Sequence, residues 1–250
     1  MTSVLRRGVL AAADAAIVRR QVERHGQRLV SRFVAGDSVA DGLAAADALH
    51  GEGLGAILDL LGEGTATAGE AERAAAEIEE LVGTLAARAT REGEARVEVA
   101  VKLSHLGAQR DPALAGELLR RLLKVADGRV FLWIDMEGSD LTEPTVATYE
   151  ALRPDHPALG LVLQAYLRRS AEDLVRVAPL DPWVRIVKGA YLEPPTVAFT
   201  RKADVDRNFA ALVGTCFDRE TRVAIASHDA PLVGRLLSEA DARGLDRSRV

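Results

Sequence analysis

Val97-Glu-Val-Ala-Val101-Lys102-Leu103, then a long amphipathic stretch opening at Asp111-Pro112 and closing at Gly128, then Val130-Phe-Leu-Trp-Ile134: this passage decides the fold. The two ends are short, nearly continuous apolar runs of strand length, and the stretch between them is of helix length. Asp111-Pro112 places proline in a first helical turn, where its missing N–H costs nothing, and Gly128 stands where a helix stop is wanted. The passage therefore reads strand, helix, strand. Runs apolar on both faces are expected for strands covered on both sides, as in parallel sheets.

The same alternation extends in both directions. Further apolar runs lie at Ala56–Leu61, Leu159–Leu163, Trp183–Val187 and Val223–Ala226. Helix punctuation separates them: a capping box at Thr67-Ala-Gly-Glu70, a start at Ser170-Ala-Glu-Asp173 ended by Pro179, and stops at Gly93 and Gly244. Six βα units follow, and right-handed crossovers allow them an open doubly wound sheet or a barrel. A dinucleotide-binding sheet should carry G-x-G-x-x-G directly after its first strand. Here Gly51-Glu-Gly53-Leu-Gly55 precedes that strand as a loop, so the expected class is α/β, a TIM-like (βα)8 barrel. Closing eight strands at this spacing would take about 60–70 residues more than the sequence has. Leu245-Asp-Arg-Ser-Arg-Val250 reads as a helix exit turning into another strand. The expectation is an incomplete barrel of about six βα units over residues 53–250. Residues 1–52 form a helical lead-in, Val4–Val34 and then Ser38–His50, with Ser38 and Asp41 at the second helix start.

Composition narrows the function. The chain has 250 residues, 48% hydrophobic and 28% charged, with a formal net charge of −5 and no Lys/Arg stripe, which argues against an extended nucleic-acid surface. Cys216 is the single cysteine, so internal disulfides and cysteine metal cages are excluded; its helical apolar neighbours predict a buried, inert thiol. The run Gly8–Val18 is interrupted by Asp14 and closed by Arg19-Arg20, an amphipathic helix rather than an export signal. No stretch reaches membrane-span length, and a cytoplasmic location is expected.

In a parallel barrel the loops after the C-terminal strand ends build the active site. Those positions carry Asp59 and Glu63, then Lys102, Ser104 and His105, then Asp135 and Glu137. Gln164 and Tyr166 follow, then Arg185, Lys188 and Tyr191, and last Ser227, His228 and Asp229. A lysine inside a buried strand needs an anionic partner, and Asp135 on the neighbouring strand is the expected one for Lys102. Glu137 and Asp140 flank a helix start and read as caps. His25, His50 and His156 have no partner at metal spacing, and no metal site is expected. Arg168 and Arg169 lie just past the fourth strand, as ligand contacts or solvated side chains.

Val101-Lys102-Leu-Ser104, Trp133-Ile-Asp135-Met-Glu137, Gln164-Ala-Tyr166, Arg185-Ile-Val-Lys188-Gly-Ala-Tyr191 and Ser227-His228-Asp229, in that order, resemble proline dehydrogenase of the bacterial monofunctional kind. Leu58-Asp59-Leu-Leu-Gly62-Glu63 resembles that family's first strand. The resemblance implies a distorted (βα)8 barrel that binds FAD at its strand ends. It implies oxidation of L-proline to pyrroline-5-carboxylate, with hydride passing to the flavin and electrons on to quinone. It implies Arg185 near the flavin, Lys188 and His228 on the FAD phosphates, and Gln164 at the isoalloxazine edge. Lys102 would face the substrate carboxylate, Asp135 would hold the basic groups in place, and Tyr191 would wall the proline ring. Glu63, with Asp59 supporting it, would close on an arginine of the family's last helix; that helix's tyrosine and arginine pair have no counterpart in these residues. Membrane contact in the family is peripheral. Three other readings stay open: a Schiff-base aldolase using Lys102 or Lys188 with Asp135, a metal-dependent barrel using Asp135, Glu137, His228 and Asp229, and a barrel fragment without catalysis.

Overall fold

The computed structural model describes residues 34–89 and 97–250. The lead-in expected before Val34, His25, and the helix stop at Gly93 lie outside the described residues. The chain divides between Leu54 and Gly55 into two compact units. In the first, helix α1 (Val39–Gly51) starts where Ser38 and Asp41 were expected to start it, on a capping box: Asp41 N–H donates to Ser38 Oγ at 3.2 Å and Ser38 N–H to Asp41 Oδ2 at 3.1 Å.

The second unit repeats strand and helix: β1 (Ala56–Asp59), α2 (Ala68–Arg88), β2 (Val97–Lys102), α3 (Pro112–Ala126), β3 (Leu132–Asp135), α4 (Ser139–Leu152), β4 (Leu159–Gln164), α5 (Ser170–Val177), β5 (Trp183–Val187), α6 (Lys202–Asp218), β6 (Arg222–Ile225) and α7 (Ala230–Ala242). The sequence punctuation explains most boundaries. Thr67 and Glu70 close a capping box on α2. Asp111 Oδ1 accepts the N–H groups of Ala113 and Leu114 at 3.0 and 3.1 Å, with Pro112 in the first turn of α3. Helix α5 starts at Ser170 as expected, and the Ser170 hydroxyl donates to Gln164 O at 2.6 Å, tying the helix start to the end of β4. One expectation differs. Leu245–Val250 forms no strand: Gly244 turns the chain at φ +66°, and Asp246 accepts the N–H groups of Ser248 and Arg249, winding a 3-10 turn over Arg247–Arg249.

All five strand pairings are parallel and the order is β1-β2-β3-β4-β5-β6. An order that never reverses, combined with right-handed crossovers, puts every helix on one face of the sheet. That is barrel topology, and the six strands curl into a half-barrel.

The two faces are chemically unlike, where the sequence reading expected both to be apolar. Toward the helices point Val99, Val101, Leu132, Ile134, Leu159, Leu161, Leu163, Val184, Ile186 and Val223, none more than 1% exposed. Each such side chain contributes about 1.5–3 kcal/mol on burial, so this aliphatic layer holds the unit together. The other face alternates with it and carries Glu98 and Lys102, Trp133 and Asp135, Gly160 and Gln164, Trp183 and Arg185, and Arg222. Residues paired in register share a face, and Lys102↔Asp135, Trp133↔Gly160, Gly160↔Trp183 and Trp183↔Arg222 are such pairs. An aromatic layer fills this face toward the N-terminal strand ends. Phe131 lies 5.0 Å from Trp133 and 5.7 Å from Trp183 between ring centroids. Gly160 makes room for it, since a Cβ there would stand 2.5 Å from the Trp133 ring. Glu98 and Arg222 lie at the level of this layer, Glu98 accepting from Trp133 and Arg222 stacking on Trp183, whereas Asp59, Lys102, Asp135 and Arg185 lie above it, toward the C-terminal ends.

Candidate functional site

Four of those charges form a chain of alternating sign along the rim. Lys102 Nζ donates to Asp59 Oδ2 at 2.5 Å and lies 4.0 Å from Asp135 Oδ2. Asp135 Oδ1 accepts from Arg185 Nη2, and the guanidinium also lies over the Trp133 ring, 5.2 Å from its centroid. The order is Asp59, Lys102, Asp135, Arg185, and the side chains are 14–32% exposed. Asp135 neighbours Lys102 as expected, but the close partner is Asp59, which therefore serves the lysine rather than Glu63.

Burial by itself pulls the Lys102 pKa down. The Asp59 hydrogen bond, with the charges of Asp59, Asp135 and Glu63, outweighs it and raises the lysine's pKa. A Schiff-base lysine needs its amine free near neutral pH; Lys102 is held as an ammonium. Burial raises the Asp135 pKa, opposed by Arg185 and Lys102.

A second cluster ties three strand ends together. Glu137 is 3% exposed and accepts from both the N–H (2.9 Å) and the hydroxyl of Ser104. It is not the cap the sequence suggested, because α4 is served from elsewhere: Ser139 donates its N–H to Glu193 Oε1 at 2.7 Å and its hydroxyl to Glu193 Oε2 at 2.6 Å. Burial raises the Glu137 pKa, partly offset by Ser104. Gln164, 2% exposed, donates through Nε2 to Met136 O (2.5 Å) and Glu137 O (2.8 Å), while its Oε1 is buried with no hydrogen-bond partner. A buried acceptor without a donor is costly, and here it belongs to a residue at the rim.

The most specific motifs meet at β4 and β5. Ala165 N–H donates to Val187 O at 2.8 Å and Tyr166 N–H to Lys188 O at 3.0 Å. Gly189, at φ +102°, lies against the Tyr166 ring, where a Cβ would come within 2.1 Å. Lys188 Nζ donates to Asp206 Oδ1 at 2.6 Å and Asp229 Oδ2 at 2.8 Å, and Lys202 joins the same two carboxylates. His228 is exposed next to this group. Across the rim, Tyr191 donates its hydroxyl to Glu63 Oε1 at 3.0 Å, linking the β5–α6 loop to the β1–α2 loop. Burial and Glu63 raise the Tyr191 pKa.

Arg168 donates to Pro195 O and lies over Phe199, and Arg169 pairs with Asp173 and Glu143. Cys216 is fully buried, and burial pushes its thiol up to about 12. Among the described residues no group of three or more His, Cys, Asp or Glu side chains is placed to hold a metal ion. No helix among them is long and apolar enough to cross a membrane. Sequence reading missed the Glu137–Ser104 clasp and the Glu193 cap. The one available signal was that Glu137 follows Asp135 by two residues, the spacing that returns a side chain to the same face of an extended strand.

Comparison with known proteins identifies the family. The family model described as proline dehydrogenase matches residues 43–250. Proline dehydrogenase 1 of Bacillus subtilis (strain 168) is 35% identical over 211 residues, 84% of this chain and 68% of its own length. The proline dehydrogenase of Deinococcus radiodurans is 32% identical over 97% of this chain and 78% of its own. Among solved structures, proline utilization A (PutA) from Bdellovibrio bacteriovorus, inactivated by N-propargylglycine, superposes with a TM-score of 0.81 at 23% identity, covering 91% of this chain and 28% of that one. A PutA variant from Bradyrhizobium japonicum gives 0.72 at 24%, over 90% and 28%. At those identities the solved structures speak for the fold, TIM-barrel-like, and the family rests on the sequence matches. With the family model spanning residues 43–250 and relatives above 30% identical over more than two thirds of their length, the chain belongs to the proline dehydrogenase family.

Proposed function

We propose that the chain oxidises L-proline to pyrroline-5-carboxylate, using FAD as hydride acceptor and quinone as the onward electron acceptor. The alternating rim Asp59–Lys102–Asp135–Arg185 carries this reading, because it holds two cations fixed at one strand-end edge. Bound FAD would supply the two-electron acceptor for the hydride lost from the proline ring carbon, the matching proton leaving the ring nitrogen. The buried, unpartnered Oε1 of Gln164 fits such a group, since the edge of an isoalloxazine offers an N–H donor.

Lys102, kept as an ammonium by Asp59, binds the substrate carboxylate through a charge-assisted hydrogen bond. Asp135 holds Arg185 in place, and the rigid guanidinium provides positive charge where the reduced cofactor becomes negative. An ammonium has three donors; Lys188 uses two on Asp206 and Asp229, and its third, with His228, serves the cofactor's phosphates. Tyr191 walls the proline ring, and its bond to Glu63 ties the β5–α6 loop to the β1–α2 loop beside it. Glu63, Lys102, Asp135 and Tyr191 thus act on substrate, and Gln164, Arg185, Lys188 and His228 on FAD. The setting is cytoplasmic, with peripheral contact to a quinone-bearing membrane.

The test is L-proline-dependent dye reduction by FAD-loaded protein, for wild type and Lys102→Ala. Losing one charge-assisted hydrogen bond, worth about 1.5–3 kcal/mol, raises KM for proline by roughly 10- to 100-fold. An FAD-loaded wild type that ignores L-proline, or a Lys102→Ala variant with unchanged KM, would sink the reading.

A further inference from the structure

The Glu137 carboxylate is buried at the rim, makes no helix cap, and has no assigned part in the reaction. Its two oxygens accept from Ser104 N–H and Ser104 O–H. Ser104 in turn accepts from the β1–α2 loop: Gly64 N–H donates to its Oγ at 3.3 Å, and Thr65 donates to its carbonyl through N–H at 3.2 Å and Oγ1 at 3.3 Å. Glu63 is next to Gly64 in sequence, and Lys102 is two residues before Ser104. The backbone carbonyl of Glu137 also receives Gln164 Nε2. One residue thus touches, directly or through Ser104, the ends of β1, β2, β3 and β4.

Burying a carboxylate is expensive unless its donors repay the loss of water. Holding a turn would not require a charge, because neutral side chains pack such positions at lower cost. What a carboxylate supplies here is two acceptors in one plane, matched to two donors of one serine.

We propose that Glu137 is a positioning residue that, through Ser104, sets Lys102 and the Glu63 loop in register with Gln164, so that substrate carboxylate and flavin are held in one alignment. This rests on the assignment of the site to L-proline oxidation. A glutamine at 137 keeps one acceptor and turns an amide N–H₂ toward the second donor, so the clasp is halved while size and shape are kept.

The experiment compares wild type, Glu137→Gln and Ser104→Ala as FAD-loaded proteins. Four quantities are read: flavin absorbance per protein, the KM and the kcat for L-proline, and the calorimetric Kd for cyclopentanecarboxylate, a ring carboxylate with no amine to oxidise. For Glu137→Gln, flavin content stays at the wild-type level, KM and Kd rise together by about tenfold, and kcat changes little, as expected for one lost hydrogen bond to a charged group. Ser104→Ala, which keeps the N–H bond, shifts the same two constants by less. In the Lys102→Ala background, Glu137→Gln adds no further loss of Kd, because the two act on one contact. Unchanged KM and Kd in Glu137→Gln would overturn the proposal, as would a parallel fall in flavin content and kcat, which marks a residue of general structure. If wild type neither turns over proline nor binds the analogue, the proline assignment itself fails.

Discussion

Gly189 is the residue most exposed to a single methyl group. Its φ of +102° is one that L side chains rarely adopt, and its Cα lies against the Tyr166 ring. Gly189→Ala is expected to cost about 2–4 kcal/mol of stability, by strain and by displacing Tyr166; the thermal midpoint of purified protein measures it. Gly62 has a similar relation to the His105 ring, with a Cβ at 2.2 Å. The sequence marked Lys188-Gly189-Ala-Tyr191 as a specific motif but not the reason for its glycine, which depends on a tyrosine from another strand. The nearest partner of Lys102 was hidden for the same reason: pairing between strand ends is a matter of side-chain reach, which spacing along the chain does not encode.

Two histidines give a pH dependence with a definite sign. Burial, with the Lys102 charge beside it, holds the His105 pKa below 6.5, and burial does the same for His156. The unfolded chain therefore takes up protons near pH 6.5 that the folded state refuses, so their contribution to stability is present above that pH and declines below it. Asp135 and Glu137 act oppositely: their raised pKa values mean that the unfolded chain ionises first, and stability falls as pH rises through the carboxylate range. The double variant His105→Asn/His156→Asn separates the two. Its midpoint should drop less than that of wild type between pH 7 and 5.5, and an identical drop would contradict the assignment.

Among elements, the β5–α6 loop is the one that organises others. It gives Tyr191 to Glu63, Glu193 to the start of α4, and Val197 and Phe199 to backbone bonds with the Tyr166–Arg168 turn. A carboxylate at a helix N-terminus is worth about 0.5–2 kcal/mol. Glu193→Ala is expected to destabilise by that amount and to speed proteolytic nicking between residues 191 and 201, read by mass spectrometry of the fragments; unchanged cleavage would argue that the backbone bonds suffice. Most helix starts were legible because a cap is a local device: Ser38, Thr67 and Asp111 work on N–H groups within three residues. The cap of α4 was not, because its carboxylate comes from Glu193, 54 residues away.

For the molecule as a whole, six strands were readable from the alternation of apolar runs with helix punctuation, and barrel order from the lack of a dinucleotide-binding glycine motif after the first of them. The contrast between the faces was not, because Trp133, Trp183 and Ala100 count as apolar whichever way they point. The described sheet has β1 and β6 as its edges, and Ile57 on β1 is 41% exposed. Unpaired edges invite pairing with another chain, so these residues expressed alone are expected to associate with rising concentration. Ile57→Lys should reduce that association in light scattering, and a variant that aggregates like wild type would place the contact elsewhere.

The aromatic layer beneath the charges also makes the protein optically self-reporting. The chain has two tryptophans, and both lie on the face that carries the rim, Trp133 directly under the Arg185 guanidinium. Their emission therefore originates beside the candidate chamber, with no tryptophan on the helical shell to dilute it. A flavin seated there would quench that emission by energy transfer, and titrating apoprotein with FAD would reveal occupancy through the protein's own fluorescence, without label, substrate or turnover.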